Sequence, residues 1–328
     1  MSRWTARAAL AIASAGLALL VAEGALRVAG FRYEIKPEKV EFGWPNPATR
    51  RALYEVDPEL FWVPSDYHAR LDAIRSRAPQ RPDLLLLGDS CTEFSDYPDR
   101  IRQQLRADGA PPAPWIEALA VGGWSTHQGL IQLQRDILPL APSAVTFYFG
   151  WNDHWMGFGV ADKEIESSAF GNSWLRQLRL SQLVRKARLA IRSQEQSPLR
   201  VSEPDFRENL VQMARLSRAA GTAPIFVTAA SSIERGREPE KLRERHLRDL
   251  EQLVPLHQRY VEIVREVATA ESAVLCDLAA SYAALPAPER RADFSRDGIH
   301  LSASGAERVA ALLHQCFGAH AALPAALR

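Results

Sequence analysis

The stretch from Leu84 to Phe94 reads Leu-Leu-Leu-Leu-Gly-Asp-Ser-Cys-Thr-Glu-Phe. Four aliphatic residues that stop at Gly-Asp-Ser have the pattern of a strand buried on both faces, and such strands belong to parallel sheets covered by helices. Open α/β sheets build their sites outside the carboxyl ends of their strands, so this pattern delivers the Ser90 hydroxyl to such a place. Ser90 is the first candidate nucleophile. Gly-Asp-Ser is also an ordinary turn sequence, and the rest of the chain must decide between the two.

Four more β runs follow, at Trp115–Val121, Ala144–Phe149, Pro224–Ala229 and Ala273–Leu278. They alternate with helical spacing at about Tyr97–Ala107, His127–Leu138 and Phe206–Ala220, in a long charged region Pro239–Ala268 that Pro255 can break, and at Ser302–Cys316. Pro286–Arg296 reads as a loop. Alternating strands and helices predict an α/β fold with a mainly parallel five-stranded sheet. At 328 residues and 47% hydrophobic composition the chain can bury a core of that size. Lys plus Arg number 40 against 39 Asp plus Glu, so no basic field points to a nucleic-acid partner.

Three later stretches answer to the first. Ala120-Val121-Gly122-Gly123-Trp124-Ser125-Thr126 is a glycine-rich turn, Gly150-Trp151-Asn152-Asp153 closes an apolar strand, and Asp297-Gly298-Ile299-His300 lies near the C-terminus. Four short motifs in this order, each at the end of a predicted element, resemble the blocks of the SGNH hydrolases, the GDSL-like esterase family. The resemblance covers roughly Pro82 to Phe317. It implies a flavodoxin-like three-layer α/β/α sandwich. It also implies Ser90, Asp297 and His300 as catalytic residues, with the Ser90 and Gly123 backbone N–H groups and the Asn152 amide as the oxyanion hole. Where the family has Asn at the start of its second block this chain has Ala118, so one supporting side chain is absent from the pattern. No Gly-x-Ser-x-Gly elbow occurs, against the α/β-hydrolase fold.

The chemistry fits the residue types. Serine needs a base within hydrogen-bond reach, which His300 supplies; Asp297, three residues earlier, can orient the imidazole and stabilise its cation. Asp297 has an alternative role as an anion at a helix N-terminus. A backbone N–H can reach a developing oxyanion only where no side chain blocks it, which suits Gly123. Trp124, Trp151, His154 and Trp155 flank these turns and are expected to line the acyl or leaving-group pocket. No metal and no cofactor is called for.

Arg3 and Arg7 precede an apolar run from Ala8 to Ala22, which Leu26, Val28 and Ala29 extend past Glu23 and Arg27. An uncleaved transmembrane signal anchor over residues 1–30 is the reading here, with a cleaved signal peptide as the alternative. The positive-inside rule then keeps Arg3 and Arg7 cytoplasmic and the catalytic part extracytoplasmic, in the periplasm. Residues 31–80, rich in aromatics and prolines, read as a stalk and short elements packing on the main domain, 81–320. A helical insertion is expected at about 154–205. Within it Trp174–Ile191 is amphipathic and basic, which suits a lid, an anionic membrane surface, a partner or an ordinary surface helix.

Cys91, Cys276 and Cys316 form no closely spaced pattern, so neither a zinc site nor a disulfide is expected, and Cys91 reads as a small packed residue behind Ser90. His246 and His257 read as surface or packing histidines. The expected activity is hydrolysis of a carboxylic ester, such as an O-acetyl group on a glycan or an acyl lipid. The same acyl-enzyme intercepted by a sugar hydroxyl would make an O-acyltransferase, and anchored members resembling this chain can serve beside a membrane-bound O-acyltransferase partner. A silent binding protein keeping the fold is the third reading.

Overall fold

The structure is a computed structural model that describes residues 3–31, 53–108, 113–157, 161–165, 178–191, 198–242, 247 and 249–328. A first helix, α1 (Arg3–Val28), precedes the strands β1 (Tyr54–Asp57) and β2 (Phe61–Pro64) and the helix α2 (Tyr67–Arg75). Then come β3 (Leu84–Gly88), α3 (Tyr97–Asp108), β4 (Ile116–Ala118), α4 (Thr126–Gln132), β5 (Ala144–Tyr148) and α5 (Arg179–Ile191). The chain closes with α6 (Glu203–Ala219), β6 (Ala223–Val227), α7 (Leu253–Ala270), β7 (Val274–Cys276) and α8 (Ala303–Ala319).

Strands β3 to β7 form one sheet in the order β4-β3-β5-β6-β7, every pair parallel. Residues on β3 alternate between two cores, as the two-residue period of a strand requires. Leu85 and Leu87 join Val145, Phe147 and Phe226 under α6 and α7, while Leu84 and Leu86 join Tyr148, Ile225 and Val274 under α3 and α8. Three layers result. The strand order reverses between β3 and β5, and this switch point opens a crevice at their carboxyl ends. The residues that follow β3 and β5 are Asp89–Ser90 and the turn to Asn152.

The antiparallel pair β1–β2 and α2 bury Leu60, Phe61, Trp62, Val63, Tyr67 and Leu71 against the first of these cores. Their aromatics are packing residues. Helix α1 is largely exposed, except around Glu23 near its C-terminal end, and its window Ala9–Val28 is long and apolar enough to cross a membrane.

Several local expectations change. The β run Trp115–Val121 shortens to Ile116–Ala118, and α4 continues into a π-helical turn at Leu133–Ile137. Pro255 stands in the first turn of α7, where its missing N–H costs nothing, so the helix starts there rather than breaking. The expected loop 286–296 contains a short helix, Ala287–Ala292. His246, residues 32–52 of the expected stalk and residues 174–177 of the expected basic helix lie outside the described residues.

The cysteines require a correction. Cys276 at the end of β7 and Cys316 on α8 form a disulfide, with Cα atoms 5.7 Å apart. Forty residues separate them in the chain, so no local spacing announces the pair; the packing of α8 over β7 brings them together. Cys91 is the free, buried one. Closing a loop of this length removes unfolded-state entropy worth about 4 kcal/mol, of which strain commonly leaves ~2–4. Cys316→Ser is therefore expected to lower the denaturant midpoint of the full chain by that stability, and wild type under reductant should match it. An unchanged midpoint would refute the contribution.

Candidate active site

Gly88 ends β3, and Asp89 caps the single helical turn Ser90–Glu93, its Oδ1 accepting the Cys91 N–H at 2.9 Å. That cap turns the chain sharply and leaves Ser90 at the crevice. His300 Nε2 lies 2.9 Å from Ser90 Oγ, and His300 Nδ1 lies 2.8 Å from Asp297 Oδ2. The other Asp297 oxygen accepts the Ile299 and His300 N–H groups and the Ser295 hydroxyl. Asp297 thus sits in a tight turn. The alternative of a helix N-terminus is wrong, because α8 begins at Ala303 and is capped by Ser302.

Burial opposes the Asp297 charge, but the hydrogen bonds from His300, Ser295 and the two backbone groups outweigh it and hold its carboxyl well below the usual range. For His300 burial works against the cation, while the Asp297 hydrogen bond and the charges of Asp297 and Asp89 overcome it, so its pKa is raised above the ordinary value of about 6.5. A base acts only when neutral. With His300 as base, kcat/KM is expected to rise with pH through a limb centred above that value, and Asp297→Asn should move the limb to lower pH. A limb unmoved by Asp297→Asn would detach Asp297 from the titration.

Asn152 is buried behind β5, and its Nδ2 donates to Asp89 Oδ2 at 3.0 Å. This bond fixes the amide's direction. Burial pushes the Asp89 carboxyl up to about 6. On the other side Gly123 has φ +81°, a conformation open to glycine and strained for other residues.

The Gly122–Gly123 loop is held from three sides. Glu93 Oε2 accepts the Gly122 N–H, Trp62 Nε1 donates to the Gly122 carbonyl at 3.1 Å, and Arg200 Nη1 donates to the Gly123 carbonyl at 2.6 Å. The Gly122 carbonyl shares its peptide plane with the Gly123 N–H, so the Trp62 indole sets where that N–H points. A Cβ on Gly122 would lie 2.7 Å from Glu93 Oε2, so a side chain there would have to displace the carboxylate that holds the loop. Burial pushes the Glu93 carboxyl up to about 7.

Arg200 is fully buried and forked onto Asp162, itself buried, at 2.8 Å, with a further bond to Gln128. Removing one partner of a buried ion pair strands the other charge. Arg200→Met is expected to cost about 3 kcal/mol of stability, and adding Asp162→Asn should return part of it. Denaturant unfolding of the single and double variants checks this; equal loss in both would dissolve the coupling.

Trp124, His154 and Trp155 do not wall an open pocket as expected. Trp124 is fully buried and donates its indole N–H to the Trp62 carbonyl at 3.0 Å. His154 is buried with its Nε2 3.0 Å from His257 Nδ1, and Trp155 stacks on Trp151. Large apolar rings next to glycine turns gain more by propping those turns from behind than by facing water. Trp151 stacks on His257 at 3.8 Å and borders a cavity of about 520 Å³ with Ala229, Ser231 and Ile233. Ser90 and His300 are not among its lining residues. Burial pulls the His257 pKa down to about 4, so this ring is neutral packing.

The exposed aromatic beside the site is Phe94, which is 60% exposed with its ring 6.4 Å from that of His300. It is the last residue of the opening motif. Arg200 and Trp62 lie outside every motif of the sequence, and Glu93 and Phe94 stand in the first without a role that the motif itself announces. Among the described residues no cluster of three or more His, Cys, Asp and Glu gathers as a metal would need.

The model of the GDSL-like lipase/acylhydrolase family matches residues 86–308. Among solved structures, the lipase/acylhydrolase from Enterococcus faecalis is 20% identical, with 71% of this chain and 93% of that one covered at a TM-score of 0.46. A putative GDSL-like lipase from Parabacteroides merdae is 15% identical, covering 73% and 97% at 0.49. Axe2, an acetylxylan esterase from Geobacillus stearothermophilus, is 14% identical, covering 74% and 96% at 0.45. No curated protein matches the chain. The family match runs through two thirds of the sequence and takes in every residue from Ser90 to His300, so the chain belongs to the GDSL-like lipase/acylhydrolase family and is a serine hydrolase acting on esters.

Proposed function

We propose that this chain is a membrane-anchored, extracytoplasmic esterase of small acyl esters, such as O-acetyl groups on a glycan. Ser90 Oγ attacks the acyl carbon as His300 Nε2 takes its proton, and Asp297 accepts the hydrogen bond of the resulting imidazolium. The Ser90 and Gly123 N–H groups and the Asn152 amide receive the oxyanion. His300 returns the proton to the leaving alkoxide, and water then attacks the acyl-enzyme with His300 again as base. The observation that carries this reading is the hydrogen-bonded line from Ser90 through His300 to Asp297, with distances of 2.9 and 2.8 Å.

Two observations support the location. Arg3 and Arg7 precede the apolar helix, and the Cys276–Cys316 disulfide belongs to an oxidising compartment. A periplasm-active reporter fused after Arg328 is expected to be active; activity of a cytoplasm-only reporter there would reverse the orientation.

The test of function is turnover of p-nitrophenyl acetate by the full chain in detergent, with and without a glycan acceptor. Steady hydrolysis that ignores the acceptor is the expected result. Weak hydrolysis with acyl groups appearing on the acceptor would replace it with an O-acyltransferase, and a membrane-bound O-acyltransferase would become the partner to seek.

A further inference from the structure

Helix α1 and helix α5 meet through one carboxylate. Glu23 Oε1 accepts the Arg179 backbone N–H at 3.0 Å, Glu23 Oε2 accepts the Leu180 N–H at 2.9 Å, and Arg27 Nε donates to Glu23 at 2.7 Å. A carboxylate within an apolar span is costly unless partnered. Here it caps the N-terminus of another helix, 156 residues away.

The depth of that contact follows from helix geometry. The window Ala9–Val28 has 20 residues. At 1.5 Å per residue it is about 30 Å long, the thickness of a bilayer's hydrocarbon core. Glu23 lies five residues before its end, about 7.5 Å inside. Interfacial amphipathic helices bury their apolar faces to about 5–10 Å, so Glu23 holds the start of α5 at the depth where such helices lie.

The sequence of α5, Arg-Leu-Ser-Gln-Leu-Val-Arg-Lys-Ala-Arg-Leu-Ala-Ile, suits that place. Leu180, Leu183, Val184 and Ala187 recur at helical spacing and form one stripe about 100° wide. Leu183 is 40% and Val184 47% exposed. Arg179, Arg185, Lys186 and Arg188 are its ionisable residues, all basic, which excludes a spanning path and complements a surface of negative charge.

We propose that α5 lies on an anionic lipid surface beside the membrane helix, with Glu23 fixing where it begins. The proposal rests on the retained anchor proposed above. It gives the segment after Asn152 a task of its own, holding the esterase domain against the bilayer.

The test uses the full chain carrying Val184→Cys, labelled with a polarity-sensitive fluorophore and reconstituted into phosphatidylcholine vesicles with or without about one third phosphatidylglycerol. Cys91 is buried and Cys276 is bonded to Cys316, so the introduced thiol is the reactive one. Blue-shifted emission and quenching by lipid nitroxides at least about twice as strong with the anionic lipid are expected. Arg185→Glu with Lys186→Glu and Arg188→Glu should abolish the difference while p-nitrophenyl acetate turnover stays unchanged.

Water-like emission in a chain that resists alkaline extraction would overturn the lipid contact and leave the anchor standing. Equal quenching in both lipids would overturn the anionic partner. Shielding that grows with protein density would assign the face to a second copy instead. Release by alkaline extraction would remove the anchor, and this proposal with it.

Discussion

Ser90→Ala is expected to lower kcat on p-nitrophenyl acetate by at least about 10⁴-fold, and His300→Ala by a similar factor. In the proposed mechanism the two groups act as one device, the hydroxyl attacking only as its proton passes to Nε2 across 2.9 Å. The double variant should therefore be scarcely worse than either single one, because a nucleophile without its base and a base without its nucleophile are equally idle. Stability should hardly move. Ser90 gives up one partly exposed hydrogen bond, worth about 0.5–1.5 kcal/mol, and the turn is built by Asp89 rather than by Ser90. Near wild-type turnover in either purified variant would remove the assignment, and effects that multiply in the double variant would mean that the two residues act independently.

Asn152→Ala is expected to lower kcat by about 10²–10³-fold while leaving KM close to wild type. As a proposed oxyanion-hole donor its amide would be useful only once the carbonyl oxygen carries charge, so its loss would raise the barrier without loosening the bound ester. The bond to Asp89 at 3.0 Å has a second consequence. Asp89→Ala frees the amide to rotate and also removes the cap of the Ser90 turn, so it should lower kcat with Asn152 present. A change confined to KM in Asn152→Ala would take Asn152 out of the oxyanion hole and make it a substrate contact.

Much of the candidate site was legible along the chain because its parts are local. Ser90, Gly123, Asn152 and the Asp297–His300 turn each follow a strand or close a short turn, and such positions announce themselves by an apolar run meeting small or polar residues. The strands are legible for the same reason, since burial on both faces of a parallel sheet demands an apolar run whatever lies around it. Helix boundaries are less so, as Pro255 and the π-turn after Gln132 illustrate, because a helix end depends on what its last turn packs against.

The residues that hold the site are a different matter. Arg200 stands in Pro-Leu-Arg-Val-Ser, a stretch with no feature of its own, and becomes a fully buried clamp on the Gly123 carbonyl 77 residues away. Trp62 looks like one aromatic among many until its indole N–H meets the Gly122 carbonyl. Trp124, His154 and Trp155 were expected in the pocket because they adjoin the reactive turns, but adjacency in sequence does not say which way a ring faces.

The sequence by itself determined an α/β chain with a parallel sheet, a serine at the end of its first strand, an order of motifs that fits one family, and an apolar helix before them. Those properties depend on neighbours within a few residues. Only the tertiary structure decided the pairing of Cys276 with Cys316, the burial of the flanking aromatics, the three-sided hold on the glycine loop and the seating of α5 on Glu23. Each of these joins groups tens of residues apart, and a contact of that kind exists only after the layers have closed and desolvation has forced every buried donor and charge to find a partner.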